Sequence, residues 1–298
     1  MPGGRLKGLP ESDLIGQGLN DQDLHMFVYQ RWKRVVEVYS KTNLTNLGDK
    51  LIALSGIAKM MSVQVGETYV AGLWKEYLAS QLLWRVDPVY ENGMFSNPSK
   101  RPKIYRAPSF SWAAIDAPQG VTYGEITKDG KITKDGTEYG MLIEVEEESM
   151  TTVTNDKFGL VKSGYIKVSG VLRKIRMKKI KNARYAWNLE IKSTKQPDEF
   201  RNVFLDSPES DEDIFGSEAH VYLLPARMDA KNYLICLLLQ LERKDNKETG
   251  YYKRIGLTKV PHYIKSGQIT VLKITGEEAA VPYGEWNARA EKHTIYIV

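Results

Sequence analysis

Apolar residues recur along this chain with two different periods, and the change between them falls close to residue 90. Before it, the steps are three and four. Leu24, Phe27, Val28, Trp32, Val35, Val36 and Tyr39 fall on one stripe of a helix that Asn20 or Asp21 opens as cap. A second helix fits residues 49–61, with the Asp49 carboxylate at its positive end and Leu51, Leu54, Ala58 and Met61 on a shared face. Thr45, Asn46 and Gly48 supply the turn between the two. Val70, Leu73, Trp74, Tyr77 and Leu78 repeat the spacing, which predicts a third helix ended by Pro88. Residues 21–90 therefore read as a helical subdomain, and residues 1–20 as a flexible tail.

After residue 100 the period becomes two, punctuated by Gly, Asp-Gly and Asn, as in many short antiparallel strands. In "GYIKVSGVLRKI", Ile166, Val168, Gly170 and Leu172 face one side while Lys167, Ser169 and Arg173 face mostly the other, and Gly170 marks a bend or bulge. "NYLICLLLQLE" is apolar on both faces from Leu234 to Leu239, which predicts a central strand. "GYYKRIGLTKV", "QITVLKI" and "HTIYIV" predict further strands. "ITKDG" at 126–130 and again at 132–136 predicts a hairpin or a lengthened surface loop. The fold class expected is α+β: a small N-terminal helical subdomain followed, over residues 91–298, by a mostly antiparallel β-sandwich or barrel module.

Composition narrows the function classes. With 298 residues, 42% of them apolar, the chain can bury one large core or two modest ones. A net charge of +5 is too mild to demand a polyanionic partner. Cys236 is the single cysteine, so no intramolecular disulfide forms, which favours a reducing, cytoplasmic setting. No run of eighteen apolar residues occurs, so no membrane span is expected.

Candidate chemistry is sparse. Arg173, Lys174, Arg176, Lys178, Lys179 and Lys181, with Arg184 beyond them, are enough charge to hold anions if displayed on one surface, but a strand would split them between two faces; nucleic acid is not the partner we expect. Asp206, Asp211, Glu212 and Asp213 offer hard oxygen ligands without EF-hand spacing, so a solvated loop is the reading. Cys236 sits in an apolar run that disfavours a thiolate. His25, His220, His262 and His293 have no HExxH or CxxC context, and no GxSxG, Walker A or GxGxxG pattern occurs. Asp116, Glu125 and Glu144 could pair for acid–base work, but composition selects no pair. The expectation is a non-catalytic chain with no cofactor and no bound metal.

Three stretches occur in a familiar order. "RWKRVVEVYSKTNLTNLGDKLIALSGIA" (31–58), "YVAGLWKEYLASQLLWRV" (69–86) and "YRAPSFSWAAIDAP" (105–118) resemble the region that follows the HET domain in fungal heterokaryon-incompatibility proteins. The elements that carry the resemblance are Trp32, Tyr39 with Ser40, Leu44 with Thr45, Asp49 through Gly56, Ala71 through Trp74, Leu82 through Trp84, and Arg106, Pro108, Phe110 and Trp112 in the last stretch. Phe110 replaces the family's usual tryptophan, and Ala114 stands where serine is common. "YYKRIGLTKV" is similar to the family's closing segment. The resemblance implies an accessory part in nonself recognition and programmed cell death, whose partner is another protein chain or a HET effector domain, the effector core itself not being evident here. Physically, Pro108 and the small Ser109, Ser111 and Ala113 let backbones pass closely while Phe110 and Trp112 fill a seam between helices and β module. A ligand platform is the sharper alternative.

Overall fold

The computed structural model describes residues 21–42, 44–66, 68–124, 131–132, 138–182, 184–190, 198–208, 212–216, 218–244, 250–273 and 285–298. The repeated "ITKDG" segments, the tail 1–20, Glu125 and Asp211 lie outside them, apart from the strand residues 131–132. Helices α1 (Asp21–Tyr39) and α2 (Ile52–Val65) open the chain. Val28, Trp32 and Val36 bury the predicted stripe of α1. Leu51, Leu54, Ala58 and Met61 are likewise buried, but Asp49 ends a separate 3₁₀ turn, Leu47–Asp49, instead of capping α2. Asn46 holds that turn by accepting the Gly48 N–H at 3.0 Å. α2 ends at Gly66 in the left-handed region, φ 66°.

The third helix is not there. Strands β1 (Tyr69–Val70) and β2 (Leu73–Trp74) form a tight hairpin, followed by one helical turn, α3 (Leu78–Gln81). Ala71 and Gly72 take φ of 48° and 94°, the two successive left-handed residues of a hairpin turn that no α-helix accommodates. The Gln81 side chain then bonds the Trp74 N–H and C=O and the Glu76 C=O, replacing helical backbone bonds.

The remaining strands are β3 (Val89–Glu91), β4 (Met94–Ser96), β5 (Lys131–Ile132), β6 (Glu138–Met141), β7 (Glu144–Thr152), β8 (Val161–Gly170), β9 (Arg173–Ile180), β10 (Arg184–Leu189), β11 (Val203–Leu205), β12 (Val221–Met228), β13 (Leu234–Lys244), β14 (Gly250–Val260), β15 (Glu285–Asn287) and β16 (Lys292–Ile297). "QITVLKI" is not a strand: α4 (Lys265–Leu272) takes it, packing Val271 into the core while Gln268 Nε2 reaches the Asn232 and Val260 carbonyls. Tertiary contacts override the β propensity of its Ile-Thr-Val run.

Pairing decides between sandwich and barrel. β12, β13, β14, β16, β8 and β7 are joined in that order. β7 is continuous with β6 across Leu142 and Ile143, and β6 pairs back onto β12 at Arg227 and Met228. The ladder therefore returns on itself as a barrel. Every pairing in it is antiparallel except β14 with β16. The other edge of β12 is shared: β9 takes Val221 to Leu223, and β6 takes the far end. Pro225, which has no N–H to donate, falls in the gap between these two partners. At Gly170 an added Cβ would come within 2.9 Å of both Ile143 and Leu224, so the chain turns here where walls approach closely.

Two cores use the two faces of this sheet. Leu224, Leu237 and Tyr252 join a large core with both helices, the β1–β2 hairpin, Phe110 and Trp112. Leu223, Leu238 and Ile255, their neighbours on the same strands, join a second core with Trp187, Phe200 and Val271. The double-sided apolarity of β13 follows directly, since neither face meets water. The N-terminal helical part and the sheet region thus share one continuous apolar interior. Among the described residues no helix is long and apolar enough to cross a membrane.

Candidate functional site

The three stretches that carry the resemblance meet at one carbonyl. The left-handed turn at Ala71–Gly72 points the Gly72 C=O inward, where it accepts the indole N–H of Trp32 at 3.0 Å and of Trp112 at 2.9 Å. Ser111 Oγ donates to the Ala71 C=O at 2.5 Å and accepts from the Ala113 N–H, capping the 3₁₀ turn Trp112–Ala114. Trp84 donates its indole N–H to the Phe110 C=O at 2.8 Å. Trp32, Trp74, Trp84, Phe110 and Trp112 are all fully buried, and Trp32 meets Trp74 edge to face at 5.6 Å. Tyr39 meets the Trp112 ring edge to face at 6.0 Å and donates its hydroxyl to the Lys50 C=O. A Cβ at position 72 would sit 2.8 Å from Trp112 Nε1, which is why glycine stands there.

Charge is threaded through this seam. Arg106 donates from Nε to the Ala113 C=O, from one terminal nitrogen to the Leu47 C=O and from the other to Asp116 Oδ1, each at 2.7 Å. Lys50 Nζ donates to the Ile115 C=O at 2.6 Å and lies 3.7 Å from Asp116. Burial, followed by the Arg106 charge, lowers the Lys50 ammonium from 10.5 to about 8 against the pull of Asp116. Deeper still, Arg254 is fully buried, stacks 3.4 Å over the Trp84 ring, donates to the Trp84 C=O and lies 3.3 Å from the buried Asp206. Burial brings its guanidinium down to about 10, with Asp206 opposing. Ser109, after Pro108, stitches this motif to the barrel: its hydroxyl accepts the Arg254 N–H at 2.7 Å, and its N–H and hydroxyl both reach the Val298 C=O.

Trp112 is fully buried and does not line the cleft beside its own segment. On the outer side of the segment a cleft of ≈ 480 Å³ is lined by Lys103, Ile104, Tyr105, Ser163, Gly164 and Lys253 among others. Ile104 is 84% exposed and Tyr105 50% exposed, far more than apolar side chains beside a core usually are. Burial, with the nearby Glu242 carboxylate, raises the Tyr105 phenol to about 12.

The strand divides the basic run: Lys174, Arg176 and Lys178 share the outward face of β9, beside carboxylates. Arg173 turns into the fold and donates to the carbonyls of Thr270 and Lys273 at the end of α4. Lys174 and Arg176 share Glu190, Lys178 pairs with Glu199, Lys179 lies 4.9 Å over the Phe215 ring, and Lys181 is exposed. Asp206 overturns the solvated-loop reading, being fully buried against Arg254; Asp213 is exposed and accepts from Gln240. Among the described residues no three His, Cys, Asp or Glu side chains gather as metal ligands. Cys236 is buried, and burial pushes its thiol well up. His293 is buried and accepts the Leu172 N–H, while His220 and His262 are exposed. Glu144 is exposed, and Asp116 serves Arg106 and Lys50.

Lys50, Gly72, Asp206 and Arg254 escaped the sequence reading as members of one site. The available signal was Arg254 itself, a cation on the core-facing alternation of β14. No family model matches the chain, and neither the curated proteins nor the solved structures compared with it include a match.

Proposed function

We propose that this chain is an accessory module of the kind that follows the effector core in fungal heterokaryon-incompatibility proteins, where it restrains, scaffolds or contacts an effector domain or partner chain in the cytoplasm. The reading rests on one observation: Trp32 and Trp112, from the first and third of the stretches that carry the resemblance, share the Gly72 carbonyl of the second, and buried residues of all three stretches join one large core. Buried aromatics bonded to backbone in this way fix one part of a molecule against another, which is what a support for an effector requires. The groups in the seam are spent on structure. Arg106 has three acceptors, and Lys50 and Asp116 complete the same cluster, so Asp116, one of three carboxylates weighed for acid–base work, is held as a counter-ion.

The test is expression of the full chain in a fungal host, alone and together with a HET effector core on a second plasmid. Alone, it leaves growth unchanged. Coexpressed, it changes the frequency of effector-induced death, and Gly72→Ala, which breaks the seam, abolishes that change. Strong death induction by the chain alone, or no effect of coexpression, defeats the reading.

A further inference from the structure

A smaller pocket of ≈ 190 Å³ lies where β10 ends the large sheet. The Trp187 N–H and C=O are both exchanged with Phe200 on the outer side of β10, so the alternation of a strand sends those of Tyr185, two residues before, to that side as well. By Asn202 the neighbouring segment has turned away, its C=O taken by the Lys259 N–H and the Thr258 hydroxyl of β14. A wedge is left between the Tyr185 edge and the run into β11. Val86 and Leu205, both buried, form its floor. The β3–β4 hairpin closes one wall with Phe95, and Asn92 and Gly93, with φ of 51° and 80°, make the two-residue turn that fixes its register.

The rim is cationic. Arg184 and Arg201 are exposed and line the pocket, and no carboxylate is among the described residues that line it. Arg201 donates from Nε to Glu199, a carboxylate that also takes Lys178, so two cations share one counter-ion and the bond occupies one of the five Arg201 donors. The Arg184 guanidinium lies 5.3 Å over the Phe95 ring, a contact made through its face that leaves the donors in its plane to a ligand. We infer that this pocket binds an aryl carboxylate, with the ring on the apolar floor beside Phe95 and the carboxylate held by Arg184, Arg201 and the Tyr185 N–H. A cavity of about 150 Å³ holds one benzene ring, so ≈ 190 Å³ holds a ring with one small substituent. Guanidinium forks match the two oxygens of a carboxylate, and an apolar floor under a few convergent polar groups is the common form of a small-molecule site. The site does not depend on the heterokaryon reading; the death assay and the binding assay below fail separately.

The probe is benzoate, titrated into the full chain and followed by saturation-transfer NMR. Saturable binding at one site is expected, weaker by at least about tenfold for benzamide, which keeps the ring and loses the charge, and for acetate, which keeps the charge and loses the ring. Arg184→Gln should weaken benzoate by about tenfold, but it also removes the contact with Phe95. Arg201→Gln leaves that contact in place and should weaken benzoate by a similar factor, without moving the melting temperature by more than a few degrees. Absence of saturable binding, or binding unchanged in both variants, overturns the inference. So does benzamide binding as tightly as benzoate, which would make the pocket merely apolar, and so does equal competition by acetate, which would make it a small-anion site. Phenyl phosphate binding about tenfold more tightly than benzoate would assign the pocket to phosphate esters instead and overturn the carboxylate assignment.

Discussion

Arg254 and Ile255 are consecutive residues of β14 that face opposite interiors. Ile255 enters the second core among Trp187, Leu223, Leu238 and Val260, where one indole bond, Trp187 to Thr258 Oγ1 at 2.9 Å, is the main polar event and Phe200 stacks on Trp187 at 4.2 Å. Arg254 enters the seam, where carbonyls from a left-handed turn, indole N–H groups and three cations hold the helical part and the hairpin to the barrel. The second core is held by shape and area, so it tolerates modest changes of volume. The seam is held mainly by polar groups bonded to one another out of water, with Trp74 Nε1 and Arg254 Nε left without a hydrogen bond among the described residues, so deleting a bonded partner strands another group. The same strand therefore carries two kinds of stability.

The largest effect separates them most cleanly. Arg254→Ala leaves Asp206 charged, buried and without its guanidinium, and should destabilise the fold by about 3–5 kcal/mol in denaturant titration. Ile255→Val, one residue on, should cost about 1 kcal/mol. The double variant Arg254→Met with Asp206→Leu should recover most of the loss, because removing both charges removes the stranded one. Equal losses for Arg254→Ala and Ile255→Val would erase the distinction between the two interiors.

Lys50 gives the seam a pH signature opposite in sign to that of the second core, where burial keeps the Cys236 thiol protonated while the unfolded thiol ionises above 9.0, so that stability is lost there as pH rises. The Lys50 ammonium titrates near 8 in the fold and at 10.5 in the unfolded chain, so between those values the unfolded chain holds more protons and stability rises with pH. The two values differ by an amount that corresponds to roughly 3 kcal/mol at the upper limit. The rise is opposed from about pH 9 by Cys236 and then near pH 10 by Tyr69 and Tyr123, which burial keeps protonated in the fold while the unfolded thiol and phenols ionise, reversing the slope. Lys50→Met should abolish the rise in stability between pH 8 and 9 and leave the fall above it, measured by urea unfolding at half-unit steps. A slope unchanged in the variant would place the titrating group elsewhere.

What periodicity could reveal was the area-driven half of the molecule. The α1 stripe, the buried face of α2 and the double-sided β13 all follow from spacing, because burial of area is what spacing encodes. Val70, Leu73, Trp74, Tyr77 and Leu78 satisfied a helical template while lying on a hairpin and a single turn, since all five are buried and the template registers burial and not φ. "QITVLKI" erred the other way. In the seam, the small-residue and aromatic composition around Pro108 announced close packing, and Phe110 and Trp112 are buried as that composition implies. The ion pairs were illegible. Asp206 sat in an acidic run that resembles a solvated loop, and its partner lies on a strand whose neighbours look apolar; only the fold brings the two charges together.

The smallest effect tests whether the seam is cooperative. Trp32 and Trp112 both donate to the Gly72 carbonyl, so either indole alone keeps that buried acceptor satisfied. Trp32→Phe and Trp112→Phe should each lose one hydrogen bond and some contact, about 1–2 kcal/mol apiece. The double variant leaves the carbonyl with neither donor and should exceed the sum by roughly 1 kcal/mol, the desolvation penalty that each single variant is spared. In the second core the matching cycle, Leu238→Val with Ile255→Val, removes only methyl groups and should show a smaller coupling. If the tryptophan pair is additive to within about 0.3 kcal/mol, the shared carbonyl is not what binds the hairpin to the motif, and packing of the rings alone must hold the seam.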